Sequence, residues 1–322
     1  MLYRQLGKTG LEVSVLGYGC WAAGKQWDNA SDDASIRAIQ TAIDHGINFF
    51  DVAPVYGYGH AEKVLGKAIG GRRDKIFIAT KCGLTWDAQG RTYRNLTREN
   101  ILREIDESLR RLGVDYVDLY QVHWPDPNVP LEETFTTLDE IKKSGKVRHI
   151  GVTNFNISLI EQAKQYTEIV SNQVLYNMID RNSDDYHGLD LNYRSDSEIL
   201  SYCEREQLGF IPYSPLCQGL LTDHFDRAAL SDKDVRVFNR QLQGEALERN
   251  LKIRAELQEV ARDYGRPLAQ LALRWLIQKP GVTSIIAGSL NEKHVQENLA
   301  AFEWTISDSD LERIDKILTQ FD

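Results

Sequence analysis

Short hydrophobic runs alternate with longer amphipathic segments along nearly the whole chain. We count eight such runs, at residues 13–19, 48–53, 76–81, 116–123, 149–154, 172–177, 209–214 and 283–287. Between them, hydrophobic positions recur at helical spacing in residues 31–45, 97–112, 131–144 and 195–207. Apolar strands separated by helices are typical of a parallel sheet buried on both faces, and eight β-then-α repeats predict an α/β fold closed into a (β/α)8 TIM barrel.

The two ends of the chain fall outside this repeat. Residues 2–13 are expected to form a β-hairpin that turns at 7–10 and covers the bottom of the barrel, because glycines flank the turn. Residues 307–320 are expected to form an extra helix near the C-terminus, with hydrophobic residues repeating along one face. No linker or change in composition interrupts the chain, so we expect a single domain over residues 1–322.

One helix and two loops carry more specific signals. The helix at 97–112 has Thr97 in the N-cap position and Asn100 three residues later. The stretches 180–194 and 217–245 follow strands six and seven and are longer than ordinary loops. A barrel places such loops at its C-terminal face, where sites are built. We therefore expect 180–194 to lie near a site at this mouth of the barrel, since it is too polar for a core.

Composition and charge narrow the classes of protein. The chain of 322 residues is 42% hydrophobic with a net charge of −9, so a surface for nucleic acid is not expected. The mean hydropathy is −0.41, and neither a membrane span nor a signal-peptide core is present in the sequence. The four cysteines form neither a CxxC pair nor zinc spacing. They indicate reduced thiols and a cytoplasmic location.

The sequence also contains a match to a dinucleotide-binding fingerprint. Gly17, Gly19 and Ala22 match G-x-G-x-x-[G/A] after a predicted strand, and Asp51 ends the next strand. That fingerprint requires a helix to begin within the glycines, whereas here residues 24–29 intervene before a cap at Ser31. Eight β-then-α units also exceed the usual six, so the sequence favours the barrel over a Rossmann fold.

Ionisable residues stand at the ends of successive predicted strands. Asp51, Lys81 and His123 end strands two, three and four, and Tyr56 follows in the loop after strand two. Each of these residues alone could have a purely structural role. The strand ends of a barrel converge on one mouth, however, which would bring all four together. We expect the Lys81 ammonium to lower the pKa of Tyr56, Asp51 to orient Lys81, and His123 to donate a hydrogen bond to a carbonyl oxygen.

This set of residues could protonate an alkoxide formed when hydride adds to a carbonyl. The hydride itself would have to come from a cofactor. A metal site is not expected, because tyrosine and lysine are poor ligands for the common metals.

The motifs as a set resemble the aldo-keto reductase family, in the branch that also contains the β subunits of voltage-gated potassium channels. They extend almost from end to end: LGKTGL (6–11), GYG (17–19), NFFDVAPVYG (48–57), EKVLG (62–66), TK (80–81), SLRRLGVDYVDLYQVH (108–123), GKVR (145–148), IGVTNF (150–155) and YSPL (213–216). The resemblance implies a (β/α)8 barrel that uses NAD(P)H. It also implies that Tyr56 is the general acid/base, that Lys81 and Asp51 tune it, and that His123 orients the carbonyl.

The same resemblance implies a cofactor site. Nicotinamide carboxamide binders would be Thr153, Asn154 and Gln173, and Tyr213 would stack on the nicotinamide. The pyrophosphate loop would include Ser214, Leu216, Gln218 and Gly219. The segment after strand eight would contribute Gly288, Ser289, His294, Glu297 and Asn298, the last two as the adenine-binding pair.

The segment after strand eight departs from the family pattern. Many members have an arginine for the 2′-phosphate of NADP where this chain has Leu290 or His294. Lys293 and His294 are the remaining cations, unless they simply form a solvated helix face. Family frequency favours NADP(H), with NAD(H) as the alternative.

Tryptophans near the strand ends indicate the substrate wall. Trp21, Trp86 and Trp124 are the candidates, with Trp27 as a weaker one, and such a wall suits an apolar aldehyde or a sugar ring. The expected function is therefore NADPH-dependent reduction of an aldehyde or ketone, with a small carbonyl or sugar molecule as partner.

Two alternatives stay open. One is an NAD-linked dehydrogenase that oxidises a sugar or polyol. The other is a cofactor-binding regulatory subunit, which is less favoured because that role commonly uses an N-terminal extension and this sequence starts at the barrel. The chain could also form a homo-oligomer.

Overall fold

The computed structural model describes residues 1–24, 31–230 and 234–320. Eight parallel strands close into a barrel in which each strand pairs with the next along the chain, and the last pairs with the first. The strands are β1 (Leu16–Gly19), β2 (Phe49–Asp51), β3 (Phe77–Cys82), β4 (Val117–Val122), β5 (Val147–Thr153), β6 (Ile169–Leu175), β7 (Gly209–Tyr213) and β8 (Ile285–Gly288). The predicted (β/α)8 barrel is confirmed, and each strand falls within or close to a predicted run.

Helices surround the barrel. Within the described residues the α-helices are α1 (Asp32–Asp44), α2 (His60–Ile69), α3 (Arg98–Leu112), α4 (Leu131–Lys143), α5 (Ile157–Ala163), α6 (Leu200–Glu206), α7 (Gly244–Asp263), α8 (Leu268–Gln278), α9 (Glu292–Leu299) and α10 (Asp308–Thr319). A π-helical turn, Ser195–Ile199, leads into α6. Short 3₁₀ turns lie at Cys20–Gly24, Arg73–Lys75, Cys217–Gly219, Arg227–Ala229, Val235–Phe238, Arg240–Leu242 and Ala300–Phe302.

Two of the helices differ in how they begin. In α10, the Ser307 side chain accepts a hydrogen bond from the Asp310 amide. Thr97 is in the N-cap position of α3 but makes no side-chain cap, because its hydroxyl donates to Asn95 Oδ1 at 2.7 Å. The prediction of a capping threonine was therefore right about where the helix begins and wrong about the hydrogen bond.

The N-terminal hairpin covers the bottom of the barrel, as predicted. Its strands Tyr3–Gln5 and Glu12–Ser14 are antiparallel. Leu6 and Val13 of this hairpin are fully buried among inward-facing side chains of the barrel, a cluster that comprises Phe49, Ala79, Leu119, Val170, Ile211 and Ile286. The interior of the barrel is thus a packed core that the hairpin completes, while a second and larger core lies between the strands and the helices.

The Rossmann fingerprint proves to be a packing feature. Gly17 and Gly19 lie in β1, and a Cβ atom on Gly17 would be 2.9 Å from the side chains of both Ile286 and Ser284. The glycines therefore allow close side-chain packing inside the barrel.

Two further hairpins rise from the C-terminal ends of strands. One, Leu84–Trp86 with Thr92–Arg94, follows β3. The other, Asp185–Tyr186 with Leu189–Asp190, lies in the long loop after β6. That loop was expected to be too polar for a core, which is wrong for Leu191 and Tyr193, since both are buried. No helix in the described part of the chain is long and apolar enough to cross a membrane.

Candidate active site

Four side chains meet at the C-terminal mouth of the barrel. Lys81 Nζ lies 2.5 Å from Asp51 Oδ1 and donates to the Tyr56 hydroxyl at 3.3 Å and to the Val52 carbonyl at 3.2 Å. The rings of Tyr56 and His123 are 6.0 Å apart, edge to face. The strand ends therefore bring together all four residues that the sequence singled out.

Burial governs the protonation of this cluster. It raises the pKa of Tyr56 well above the ordinary value for a phenol, and the Asp51 carboxylate adds to the effect. It lowers the pKa of His123 well below 6.5, and the Lys81 ammonium adds to that shift. The expectation that Lys81 leaves Tyr56 with a lowered pKa was therefore wrong, because loss of hydration outweighs the neighbouring ammonium. Tyr56 is a protonated phenol and His123 a neutral imidazole at neutral pH.

The carboxylate of Asp51 has two further partners inside the barrel. Gln173 Nε2 donates to Asp51 Oδ2 at 2.8 Å, and Gln121 Nε2 donates to the same oxygen at 3.2 Å. These bonds fix the carboxylate against Lys81. Gln121 was missed at the sequence level, although it lies on β4 two residues before His123 and so points to the same interior.

The expected nicotinamide binders lie next to this cluster. Thr153 ends β5, and its hydroxyl is buried without a hydrogen-bond partner. Asn154 follows in the left-handed region, with φ of 63°, and donates from Nδ2 to the His123 carbonyl at 3.3 Å. Its Oδ1 accepts from Tyr213 at 3.0 Å and from Tyr193 at 2.8 Å. Tyr193 thus positions two predicted cofactor residues, and its place in the polar loop hid it from sequence reasoning.

The loop after β7 is held by the hairpin after β6. The ring of Tyr186 packs edge to face on that of Tyr213, with centroids 5.3 Å apart. The Tyr186 hydroxyl lies 3.1 Å from Ser214 Oγ and accepts from Gln218 Nε2 at 3.1 Å. Ser214 and Gln218 have left-handed backbone conformations, with φ of 54° and 53°. The long loop 180–194 therefore contacts the segment that carries Ser214, Leu216, Gln218 and Gly219.

The segment after β8, where a phosphate was expected to bind, forms hydrogen bonds within itself, mostly around the start of α9. Asn298 Nδ2 donates to Ser289 Oγ at 3.3 Å. Asn291 caps α9 by accepting from the His294 amide at 3.0 Å, and the Leu290 amide donates to His294 Nδ1 at 3.5 Å. Gly288 is exposed at the end of β8.

Two cations at this segment, one within it and one from α1, have carboxylate neighbours. Lys293 pairs with Glu297 at 3.5 Å, and Arg37 of α1 pairs with Glu292 at 3.1 Å. Arg37 was missed at the sequence level because it belongs to a distant helix.

Three of the four tryptophans considered for the substrate wall lie around the mouth. Trp21 packs edge to face on Tyr56, at 4.8 Å between ring centroids. Trp86 lies 5.3 Å from Tyr58, and Trp124, which follows His123, lies under the Arg94 guanidinium at 5.8 Å. Trp27 lies outside the described residues.

Among the described residues, no three His, Cys, Asp or Glu side chains are arranged to hold a metal ion.

Known proteins resemble this chain over nearly its full length. Residues 15–319 match the aldo/keto reductase family model. An NADH-specific methylglyoxal reductase of Escherichia coli is 32% identical over 95% of this chain and 94% of its own. A probable voltage-gated potassium channel subunit beta of Arabidopsis thaliana is 34% identical over 94% of this chain and 92% of its own. The structure of a glycerol dehydrogenase from Gluconobacter oxydans superimposes with a TM-score of 0.86 at 29% identity, over 99% of this chain and 95% of that one. The chain belongs to the aldo/keto reductase family of NAD(P)-dependent oxidoreductases.

Proposed function

We propose that this protein reduces a small aldehyde or ketone to the alcohol, with Tyr56 as the general acid. The observation that carries the proposal is the Lys81 ammonium, which lies between the Asp51 carboxylate and the Tyr56 hydroxyl at the barrel mouth. A buried ammonium in this place stabilises the phenolate that remains after Tyr56 has given up its proton.

The protonation states suit reduction. Tyr56 is protonated at neutral pH because burial raises its pKa, so it stands ready to transfer a proton to the substrate oxygen. His123 is neutral because its pKa is lowered, so it can donate one N–H to that oxygen without competing as a stronger acid. A bound nicotinamide cofactor would supply the hydride that adds to the carbonyl carbon.

Side chains at the mouth fit a nicotinamide carboxamide. The Thr153 hydroxyl is buried without a partner, which is costly unless a ligand completes its hydrogen bonding. Asn154 Nδ2 uses one hydrogen for the His123 carbonyl and has a second to offer. In this proposal Thr153, Asn154 and Gln173 hold the carboxamide, while Tyr213 provides the ring face.

The choice between cofactors turns on the charges around α9. The sequence favours NADP(H), with NAD(H) as the alternative. In the structure, Lys293 faces Glu297 and Arg37 of α1 faces Glu292, so both of these cations have a carboxylate beside them. A phosphate with nearly two negative charges is disfavoured by such carboxylates. This observation, together with the NADH specificity named for the Escherichia coli relative, supports NAD(H) for this chain.

The substrate class follows from the mouth and the relatives. Trp21 lies against the Tyr56 ring, so little room separates the proton donor from an aromatic wall. The names of two relatives, methylglyoxal reductase and glycerol dehydrogenase, indicate short oxygenated substrates. We therefore favour a small oxo compound or the corresponding polyol, and oxidation of the alcohol is the second function to be measured.

Steady-state assays of the wild type and of Tyr56→Phe test the proposal. The assays use methylglyoxal, glyceraldehyde and a simple aromatic aldehyde with NADH and NADPH, and glycerol with NAD⁺ and NADP⁺. We expect carbonyl reduction by the wild type and a loss of about 100-fold or more in kcat for Tyr56→Phe, with cofactor affinity retained. Near-native kcat in that variant would sink the role of Tyr56, and an inactive wild type that still binds cofactor would favour a regulatory subunit.

A further inference from the structure

The hairpin that follows β3 has a tight neck beside the active site. Gly83 begins it and Asn95 ends it, and the Asn95 amide donates to the Gly83 carbonyl at 2.9 Å. Gly83 has φ of 84°, and a Cβ atom there would lie 2.1 Å from the Leu96 side chain. The two strands of the hairpin therefore lie very close together at the neck, and the backbone of Gly83 has a conformation that favours glycine.

Two buried side chains of α3 hold both sides of this neck. Glu104 Oε2 accepts from the Gly83 amide at 2.7 Å and from Asn100 Nδ2 at 3.0 Å. Asn100 Nδ2 also donates to the Asn95 carbonyl at 2.8 Å. Since Glu104 and Asn100 lie one helical turn apart, a single face of α3 holds the entry and the exit of the hairpin.

The hairpin in turn contacts the loops that carry the proposed catalytic residues. Trp86 lies 5.3 Å from Tyr58, whose hydroxyl donates to the Gly90 carbonyl at 3.0 Å. Arg94 lies over the ring of Trp124, the residue after His123. Lys81 is only two residues before Gly83. The neck is therefore connected through this hairpin to the wall of the proposed substrate mouth.

We propose that Glu104 is a positioning residue whose carboxylate holds the neck of the hairpin and so places Trp86 at the substrate mouth. The proposal deepens the proposed function and rests on it for the role of Trp86. Glu104 touches neither substrate nor cofactor in this scheme, and it acts through the Gly83 amide and the strands that follow.

The surroundings of Glu104 make its hydrogen bonds with Gly83 and Asn100 sensitive to pH. Its second oxygen, Oε1, is buried without a hydrogen-bond partner. Burial raises the pKa of Glu104 to about 7. The charged and titratable groups that face it are Glu62 of α2, Arg103 and Arg111 of α3, Cys82 of β3 and Tyr120 of β4. A carboxylate accepts bonds from Gly83 and Asn100 more strongly than a protonated carboxyl does, so the neck should tighten as pH rises through the neutral range.

Three variants of the full chain separate this role from a merely structural one. Glu104→Ala removes both hydrogen bonds, Glu104→Gln keeps an acceptor of the same shape without charge, and Glu99→Gln changes an exposed glutamate of the same helix as a control. The readouts are hydrogen exchange of residues 83–95 without ligands, and kcat and KM for carbonyl substrates of increasing size between about pH 6 and 8.5.

We expect Glu104→Ala to speed exchange in residues 83–95 and to raise KM at least threefold for bulky substrates, with kcat changed less than KM. Such a factor, roughly threefold, is a fraction of what one charged hydrogen bond can contribute. Glu104→Gln should restore the exchange rates in part and should abolish the pH dependence of KM that the wild type shows. The control should behave as wild type.

Opposite results overturn the proposal in distinguishable ways. Unchanged exchange in Glu104→Ala means that Glu104 does not hold the neck. Faster exchange with an unchanged KM means that the hairpin does not position the substrate wall, although Tyr56→Phe still tests the chemistry separately. If the wild type reduces no carbonyl, the proposed function fails and this role at the mouth fails with it.

Discussion

Lys81 and Asp51 form an ion pair inside the barrel mouth, with 2.5 Å between Nζ and Oδ1 and exposed side-chain fractions of 0% and 3%. Two buried charges are stabilised only when each is paired and hydrogen-bonded. Here Gln121 and Gln173 satisfy the other carboxylate oxygen. The pair therefore serves the fold and the proposed chemistry at once, and the two contributions can be separated by mutation.

Asp51→Asn should lower both stability and turnover. Removing one partner of a buried ion pair leaves the other charge uncompensated, which costs about 3–5 kcal/mol of unfolding free energy. Denaturant unfolding and kcat for a carbonyl substrate measure the two effects.

The double variant Asp51→Leu with Lys81→Met provides the control. It should recover part of the stability, because no unpaired charge remains, but it should recover no activity. A single Asp51→Asn variant as stable as the wild type would contradict the role of the pair in the fold.

The pH dependence of the two reaction directions should differ. Burial raises the pKa of Tyr56, so the phenol stays protonated through the neutral range and reduction should proceed at a nearly constant kcat between about pH 6 and 8. Oxidation of the alcohol needs the phenolate to accept a proton, so its kcat should rise with pH over the same range. Because the pKa of His123 is lowered, its ring stays neutral in this range and adds no further pH dependence to kcat.

Measurements of kcat in both directions, with saturating cofactor and a constant ionic strength, check this prediction. Tyr56→Phe should retain only a residual rate without the rise in the oxidation direction. A reduction rate that falls steeply between pH 6 and 8 would show that the acid has an ordinary or lowered pKa instead.

The barrel and the clustering of the four residues could be predicted from the sequence, because both follow from the alternation of hydrophobic strands and amphipathic helices along the chain. Strand ends in a closed parallel barrel face the same mouth, so Asp51, Lys81 and His123 could be placed together from the sequence alone. The direction of the pKa of Tyr56 could not, because it depends on how completely the phenol is buried. The pattern showed the ammonium but not the loss of water around the hydroxyl.

The roles of polar residues that connect separate elements were not predicted. Asn100 and Glu104 look like the polar face of an amphipathic helix, yet both are buried and bind the neck of a hairpin. Their spacing of four, beside the stripe of Ile101 and Ile105, was the available signal. Tyr193 was hidden in the same way, within a loop whose polar residues outnumber its apolar ones.

Tyr186→Phe should weaken cofactor binding without abolishing catalysis. The change removes the hydroxyl that bonds to Ser214 and Gln218 but keeps the ring against Tyr213. Each lost hydrogen bond of this kind typically costs about 0.5–1.5 kcal/mol, so the cofactor Kd should rise roughly two- to tenfold or more. Fluorescence titration with NADH and NADPH measures the change in Kd.

Two further variants separate the hydroxyl from the ring. Tyr186→Leu should raise the cofactor Kd further, because the contact with Tyr213 is also lost. Asp190→Asn, an exposed change in the same hairpin, should leave Kd as in the wild type. If Tyr186→Leu binds cofactor as the wild type does, the loop 180–194 is a solvated excursion or a contact with another subunit.

His294→Arg should raise the affinity for NADPH and leave that for NADH nearly unchanged. A terminal phosphate needs charge-assisted partners, and arginine presents a planar fork that matches it. In the wild type, Leu290 offers only an apolar side chain, Lys293 faces Glu297, and His294 Nδ1 accepts from the Leu290 amide. One added charged hydrogen bond is worth about 1.5–3 kcal/mol, so NADPH should bind roughly ten- to a hundredfold more tightly.

The matched control is His294→Gln, which keeps the backbone bond to Asn291 but cannot carry charge. Isothermal titration of both cofactors against the wild type and the two variants gives the Kd values. Equal NADPH affinity in the wild type and His294→Arg would place the 2′-phosphate elsewhere, and a wild type that binds NADPH at least about tenfold more tightly than NADH, a difference of 1.4 kcal/mol, would restore NADP(H) as the cofactor.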